Sequence, residues 1–310
     1  MNWTGVLPAI TTGFDTNLAV DHRFLAAHAR RLLAAGCSGI VALGSLGEAA
    51  TLSGDEKRAV LATLAQELNG KAPLVAGISS LSTAEAAELA CAAERAGCAG
   101  LMVLPPYVYQ GDWRESKAHV KAILRATGLP CMLYNNPVAY GTDFLPEHVA
   151  ELAGEHSNLL AVKESSTDAR RVTAIRTLCG DRLQVLVGVD DCVLEATAMG
   201  AVGWIAGVTN ALPEDTVTMY KAAVQGGGAR ALDLYRWLLP LLRMDTVPKF
   251  VQLIKLMQQE VGLGSERVRP PRMVLEGAER AQVLGTIRAV LAARPAAAPA
   301  QRTASSMVTA

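Results

Sequence analysis

The chain has 310 residues, 51% of them hydrophobic, and its 29 acidic side chains balance its 29 basic ones. This balance argues against a nucleic-acid partner, which would need a basic surface. No apolar run is long enough to span a membrane, and no secretory signal is predicted at the amino terminus. The six cysteines lack metal-ligand spacing and indicate small buried residues in a reducing cytoplasm. The five histidines are scattered, so no metal site is expected.

Short apolar runs alternate with amphipathic stretches in chain order. Strands are predicted at 5–11, 39–43, 74–78, 100–104, 131–134, 159–163, 184–188 and 203–207. Helices are predicted between them, near 20–35, 53–68, 82–96, 113–126, 146–153, 168–179 and 191–199. This alternation predicts an α/β fold, the (β/α)8 TIM barrel. A doubly wound sheet is the alternative, but its glycine-rich fingerprint is missing after the first strand.

The predicted strands stop near residue 207, and only helical patterns follow, near 213–225, 229–243, 247–260 and 276–292. The sequence therefore predicts a barrel over residues 1–210 and a helical extension over 211–292 that packs on it. The last segment, 293–310, is rich in alanine, proline and serine. Such a composition has little to bury, and we expect this tail to be disordered.

Two side chains at predicted strand ends suggest chemistry. Barrels of this class hold their active sites at the carboxyl ends of the strands, where Lys163 ends the sixth strand and Tyr134 the fifth. Burial would keep Lys163 neutral and nucleophilic, so that it could form an imine with a 2-oxo group. Tyr134 lies on the adjacent strand and could carry protons. The alternative is an ordinary lysine that reaches solvent along its methylene stem.

The loop after the second strand reads Gly44-Ser45-Leu46-Gly47. Its glycines let the backbone approach a ligand closely, so its N–H groups and the Ser45 hydroxyl could bind a carboxylate. An ordinary strand-to-helix turn is the alternative interpretation of the same residues.

Three stretches together carry a family resemblance: GSLGE at 44–48, YNNP at 134–137 and VKE at 162–164. Their order and spacing resemble the pyruvate-dependent class I aldolase family that includes dihydrodipicolinate synthase and N-acetylneuraminate lyase. The resemblance covers residues 5 to about 290. It implies that Lys163 forms the Schiff base, that Tyr134 shuttles protons, and that the 44–47 loop holds the substrate carboxylate.

The resemblance implies further roles and an assembly. Tyr107 would reach across a dimer interface towards the neighbouring subunit's site, and the backbone carbonyl of Ile205 would help orient the lysine and the substrate. The assembly would be a homotetramer built from dimers. Asn136, Tyr140 and Thr167 are candidates for holding a substrate hydroxyl. No organic cofactor is expected, because the lysine imine serves as the electron sink.

Two positions depart from the pattern of the synthases. Leu46 stands where they usually carry a second threonine, which interrupts a hydroxyl relay to the tyrosine. Ala139 stands where they carry an arginine that meets the second substrate's carboxylate. These departures favour a compact substrate with a single carboxylate.

Longer stretches, including LPPYVYQGDWRE and YNNPVAYGTDFLPE, resemble a bacterial branch that acts in hydroxyproline breakdown and contains 1-pyrroline-4-hydroxy-2-carboxylate deaminase. That branch implies release of ammonia and 2,5-dioxopentanoate. Other candidates are a 2-keto-3-deoxy sugar acid aldolase or dehydratase, a 4-hydroxy-tetrahydrodipicolinate synthase, and a barrel that binds a metabolite without catalysis. A phosphorylated substrate is not expected, because Asp190 and Asp191 would repel it at the barrel mouth.

Overall fold

The computed structural model describes residues 1–226 and 228–295. Within these residues eight parallel strands form one sheet: β1 (Gly5–Pro8), β2 (Ile40–Ala42), β3 (Leu74–Ile78), β4 (Gly100–Val103), β5 (Cys131–Asn135), β6 (Leu159–Glu164), β7 (Gln184–Val187) and β8 (Gly203–Ala206). Neighbours in sequence are neighbours in the sheet from β2 to β8, and β1 pairs with β8. The N–H of Ile10 donates to the carbonyl of Val41 at 2.9 Å and brings the two outer strands together. The predicted (β/α)8 barrel is confirmed.

The helices alternate with the strands and then continue beyond them. The described residues form α1 (His22–Ala34), α2 (Gly54–Leu68), α3 (Thr83–Arg95), α4 (Trp113–Arg125), α5 (Pro137–Tyr140), α6 (Pro146–Glu155), α7 (Arg170–Cys179), α8 (Val193–Ala198), α9 (Pro213–Val224), α10 (Gly228–Leu242), α11 (Phe250–Glu260) and α12 (Gly277–Ala292). Every predicted helix is present, with ends that differ by a few residues. The single-turn helix α5 was not predicted. Among these helices, none is both long and apolar enough to cross a membrane.

Local sequence explains why the elements begin where they do. Ser53 accepts a hydrogen bond from the N–H of Glu56, and the Glu56 side chain accepts one from the N–H of Ser53, which starts α2 with a capping box. The strands are nearly continuous runs of buried apolar residues, because helices cover one face and the barrel interior the other.

The first predicted strand extends too far. The sequence pattern places it over 5–11, but β1 ends at Pro8. Just beyond β1 the N–H groups of Ala9 and Ile10 still donate to backbone carbonyls, those of Ala206 and Val41. The N–H of Thr11 donates instead to a side chain, Asn210 Oδ1, at 3.1 Å. The apolar pattern runs past the end of β1 because Ile10 is buried in the core.

The helices after β8 bring a turn to the carboxyl end of the barrel. Helix α9 packs against β1, and α10 packs against α9 and α12. A 3-10 turn at Arg243–Asp245, between α10 and α11, contacts a second one at Asp190–Cys192 after β7. The division of the chain at residues 210 and 211 stays a prediction. The predicted disordered tail spans 293–310, and its residues 296–310 lie outside the described part of the chain.

Candidate active site

Lys163 and Tyr134 meet at the carboxyl ends of two neighbouring strands. They are direct partners in the pairing of β5 with β6. Lys163 Nζ lies 3.8 Å from the centroid of the Tyr134 ring, and the lysine is only 6% exposed. The side chain therefore turns into the barrel mouth, and the alternative of a solvent-directed lysine is not what the structure has.

The environment of Lys163 favours an uncharged amine. Burial lowers its pKa, against a weaker opposite influence from Tyr140, Asp245 and Asp190. Within the described residues, no carboxylate forms a salt bridge with this amine. The other buried lysine differs, because Lys255 Nζ lies 2.7 Å from Glu48 Oε1. Among the lysines of residues 1–226 and 228–295, Lys163 alone combines burial with the lack of a paired carboxylate, as a nucleophilic amine requires.

Gly188 directly follows β7 and makes room for the lysine stem. A Cβ atom added at Gly188 would lie 2.3 Å from Lys163 Cε and 2.6 Å from Lys163 Cγ. Any side chain here would push Lys163 out of its present position. The absence of a side chain at residue 188 thus helps to aim the amine.

Asn136 fixes the Tyr134 hydroxyl. Its Nδ2 donates to the Tyr134 oxygen at 3.0 Å, while its Oδ1 accepts from the N–H of Ala139 at 3.0 Å and caps α5. Burial raises the pKa of Tyr134 to about 12, although the hydrogen bond from Asn136 acts in the opposite direction. The phenol consequently keeps its proton at neutral pH and can donate it.

Tyr140, at the end of α5, joins the loop after β2 to Tyr134. Its hydroxyl is hydrogen-bonded to Ser45 Oγ. Its ring lies 5.7 Å from that of Tyr134 between centroids, at an interplanar angle of 83°. Leu46 is buried, and its side chain offers no polar atom. A hydroxyl from Tyr140 therefore stands next to Ser45, although the sequence indicated a relay interrupted at Leu46.

The loop 44–47 offers backbone hydrogen-bond donors to the barrel mouth. In the described part of the chain, the backbone N–H groups of Ser45, Leu46 and Gly47 have no hydrogen-bond acceptor. The loop is anchored beneath by Thr12, whose hydroxyl donates to the carbonyl of Gly47 at 2.7 Å. Glu48, which follows, adopts the uncommon left-handed conformation with φ 55°. Fixed, unpaired N–H groups can bind a carboxylate.

The other predicted site residues lie at different distances from this centre. Ile205 is buried in β8 opposite Leu7 of β1. The ring of Tyr107 lies 6.2 Å from that of Tyr140 in the same chain, so its predicted reach into a neighbouring subunit stays a prediction. Thr167 is exposed, with φ 71°, and is not brought into the cluster.

Asp190 is not a charge that faces the mouth. It is fully buried. Its carboxylate accepts hydrogen bonds from Trp204 Nε1 at 2.9 Å, from the N–H of Gly207 at 3.1 Å and from the N–H of Val208 at 2.8 Å. These amides follow β8, where barrels commonly bind phosphate. Because these amides already donate to Asp190, they are not free to bind a phosphate.

One acidic residue of the site was missed. Asp245 comes from the turn between α10 and α11, and its Oδ1 would lie 2.1 Å from a Cβ atom added at Gly207. Its charge acts on both Lys163 and Tyr134. Asp245 lies in a connection between helices and not at a strand end, where barrels of this class hold their active-site residues. No sequence signal distinguished it.

Comparison with known proteins finds a family model and curated relatives that match most of the chain. Residues 2–290 match the model of the Dihydrodipicolinate synthetase family. A 4-hydroxy-tetrahydrodipicolinate synthase of Methanopyrus kandleri is 37% identical over 268 residues, covering 86% of this chain and 89% of that protein. One from Mesorhizobium japonicum is 33% identical over 279 residues, covering 90% of this chain and 95% of that protein.

Solved structures are similar as well. A dihydrodipicolinate synthase of Bacillus anthracis superposes with a TM-score of 0.89 at 27% identity, covering 96% of this chain and all of that one (100%). YagE of E. coli K12, a prophage protein of the dihydrodipicolinic acid synthase family solved in complex with pyruvate, gives a TM-score of 0.88 at 27% identity, covering 94% of this chain and 99% of that one.

The fold and the site define a TIM-barrel protein with a buried lysine at the carboxyl end of its sixth strand. The chain belongs to the dihydrodipicolinate synthetase family, whose members are class I lyases that use a Schiff-base lysine.

Proposed function

We propose that Lys163 forms an imine with C2 of a small 2-oxo or cyclic-imine carboxylate. The observation that carries this proposal is the buried Lys163 amine, unpaired with any carboxylate of the described residues and 3.8 Å above the Tyr134 ring. The substrate carboxylate would bind the N–H groups of Ser45, Leu46 and Gly47. Tyr134, whose hydroxyl keeps its proton, would donate that proton and later take one back.

The substrate we favour is 1-pyrroline-4-hydroxy-2-carboxylate, the cyclic imine suggested by the sequence resemblance. Lys163 adds to C2, and one of its protons moves to the ring nitrogen. The C2–N bond of the ring then breaks, Tyr134 protonates the departing nitrogen, and a lysine iminium remains. The iminium acidifies the C3–H bond, and the Tyr134 phenolate takes that proton. Loss of the 4-hydroxyl as water, tautomerisation and hydrolysis give 2,5-dioxopentanoate and ammonia.

The environment of α5 supports a compact substrate. Ala139 is exposed and contributes only a methyl group where a second carboxylate would need a cation. Tyr140 turns its hydroxyl to Ser45. The proposed substrate has one carboxylate, which the loop after β2 can bind. It also has one hydroxyl, to which polar side chains at the barrel mouth can hydrogen-bond.

A second candidate is 4-hydroxy-tetrahydrodipicolinate synthase. The names of the relatives favour it over the deaminase. It uses the same lysine imine but condenses pyruvate with aspartate semialdehyde, whose carboxylate would face Ala139. A 2-keto-3-deoxy sugar acid aldolase or dehydratase is a third candidate, with the same imine and a longer polar substrate.

Product identity separates these candidates. The purified enzyme is given the hydroxypyrroline carboxylate, pyruvate with aspartate semialdehyde, or a 2-keto-3-deoxy sugar acid, with Lys163→Ala as the inactive control. Ammonia and 2,5-dioxopentanoate from the first support the proposal. A condensation product from the second, or pyruvate from the third, with no ammonia from the first, would refute it. The homotetramer and the cytoplasmic location stay predictions.

A further inference from the structure

Asp245 is an acidic side chain near Lys163 that the steps above do not use. It lies at the end of the 3-10 turn Arg243–Asp245, which the helical extension places at the carboxyl end of the barrel. Its side chain is partly buried. Within residues 1–226 and 228–295, its carboxyl group has neither a hydrogen bond nor a salt bridge. Unpaired polar groups in protein interiors are uncommon, and a catalytic role is one explanation for them.

Glycine at position 207 allows this placement. A Cβ atom there would lie 2.1 Å from Asp245 Oδ1 and 2.6 Å from Asp245 Cγ. The carboxyl group therefore rests on the backbone just beyond β8. Gly188, just beyond the neighbouring β7, receives Lys163 in the same way. Two adjacent strand ends thus hold the amine and the carboxyl group at one mouth.

The charges around Asp245 favour its protonated form. Burial, and next the neighbouring carboxylate of Asp190, raise its pKa well above that of an ordinary aspartate. Lys163 acts in the opposite direction and Asp191 in the same one. On its own turn, Arg243 contacts Asp191 at 3.7 Å. A neutral carboxylic acid can give a proton to a leaving group.

We propose that Asp245 is the catalytic acid that protonates the departing 4-hydroxyl group of the substrate. This step rests on the proposed deaminase function. After C3 loses its proton, the electron pair of the lysine enamine forms the C3–C4 double bond and the C4–O bond breaks. The hydroxyl takes the Asp245 proton and leaves as water. The resulting carboxylate removes a proton from C5, which restores the acid and starts the tautomerisation towards ammonia release.

Asp245→Asn tests this role, because it keeps the size of the side chain and removes the proton. We expect ammonia release from the hydroxypyrroline carboxylate to fall about 100-fold or more. Borohydride trapping of pyruvate at Lys163, which needs no departing hydroxyl, should persist and also verifies folding. Mass spectrometry of the variant with the pyrroline substrate should find a trapped adduct that still carries the hydroxyl. Asp191→Asn, which removes a nearby charge, is the matched control and should release ammonia at nearly the wild-type rate.

Two failures can be told apart. If the wild-type enzyme traps pyruvate but releases no ammonia, the proposed substrate is wrong and the acid role is wrong with it. If the wild type releases ammonia and Asp245→Asn does so at an equal rate, the acid role alone is wrong. An equal loss in Asp191→Asn would also overturn it, because the effect would then come from charge and not from proton donation.

Discussion

Tyr134 and Lys163 are paired across β5 and β6, with the amine 3.8 Å above the centre of the ring. Parallel neighbours project aligned side chains to the same face, so the pairing register itself brings the two groups together. Asn136 then donates a hydrogen bond to the Tyr134 hydroxyl. The phenol is thus placed beside the atom where the proposed imine forms, and proton transfer needs no rearrangement of the backbone.

Removal of the Tyr134 hydroxyl should slow turnover without preventing imine formation. We expect Tyr134→Phe to lower kcat by about 10²- to 10⁴-fold, the usual contribution of a positioned acid or base. Steady-state kinetics measures the fall. Tyr220→Phe is the control, because this buried tyrosine of α9 packs against Trp204 of β8. Similar losses in both variants would contradict the assigned role.

Imine formation should depend on the protonation of Lys163. The protonated amine cannot attack, so the rate of trapping falls as pH drops through the lysine's pKa. Burial lowers that pKa, and the midpoint should therefore lie below the value for an ordinary lysine, about 10.4. The rate of pyruvate trapping measured against pH gives the midpoint. A midpoint at or above the ordinary value would show that the amine is charged at rest.

Gly188→Ala should disable Lys163 without unfolding the protein. The added methyl group would collide with Lys163 Cε, 2.3 Å away, and with Ser165 Oγ, 2.2 Å away. We expect slower imine trapping together with retained secondary structure by circular dichroism. Gly154→Ala in α6 is the matched control. Apart from its chain neighbours and the backbone of its own helix, no atom of the described residues lies within 4 Å of the added Cβ, and alanine favours a helix. Wild-type trapping by Gly188→Ala would contradict the packing argument.

The buried pair of Glu48 and Lys255 should stabilise the loop after β2. Lys255 Nζ donates to Glu48 Oε1 at 2.7 Å and to the carbonyl of Thr12 at 2.9 Å, with the two side chains 0% and 2% exposed. Removal of one partner leaves a buried charge, so Lys255→Met should lower the free energy of unfolding by about 3–5 kcal/mol. Denaturant unfolding measures this change in the free energy of unfolding.

The exposed pair of Lys249 and Glu279 provides the comparison for this prediction. Lys249→Met should lower the free energy of unfolding by only about 0–1 kcal/mol. The double variant Glu48→Gln with Lys255→Met should lose less stability than the sum of its single variants, because neither member of the pair then keeps a charge without the other. Equal losses in the buried and the exposed pair would refute the proposed anchoring.

Much of the site could be predicted because strand order determines it. Each strand of a barrel ends at the same mouth, so Lys163 and Tyr134 could be placed together from the positions of two apolar runs. Ser45 followed from the glycine-rich loop by the same reasoning. The N–H groups of that loop have no acceptor among the described residues, and its role as a carboxylate site stays a prediction.

Features that depend on folded-back segments could not be predicted. Asp245 reaches the mouth only because the turn after α10 packs on the turn after β7, a contact between distant parts of the chain. Tyr140 turns towards Ser45 because α5, a single turn capped by Asn136, orients it. The sequence predicted Asp190 as a charge at the mouth, but its carboxylate is buried and bonded to the indole N–H of Trp204 and to the amides of Gly207 and Val208 just beyond β8.

Reduction with borohydride in the presence of pyruvate tests the central claim most directly. The chain contains a second buried lysine, Lys255, which is ion-paired and so serves as an internal control. Peptide mass spectrometry should find the permanent adduct at Lys163 and none at Lys255, and Lys163→Ala should abolish it. The absence of an adduct from the wild-type protein, or an adduct that survives in Lys163→Ala, would contradict imine catalysis by Lys163.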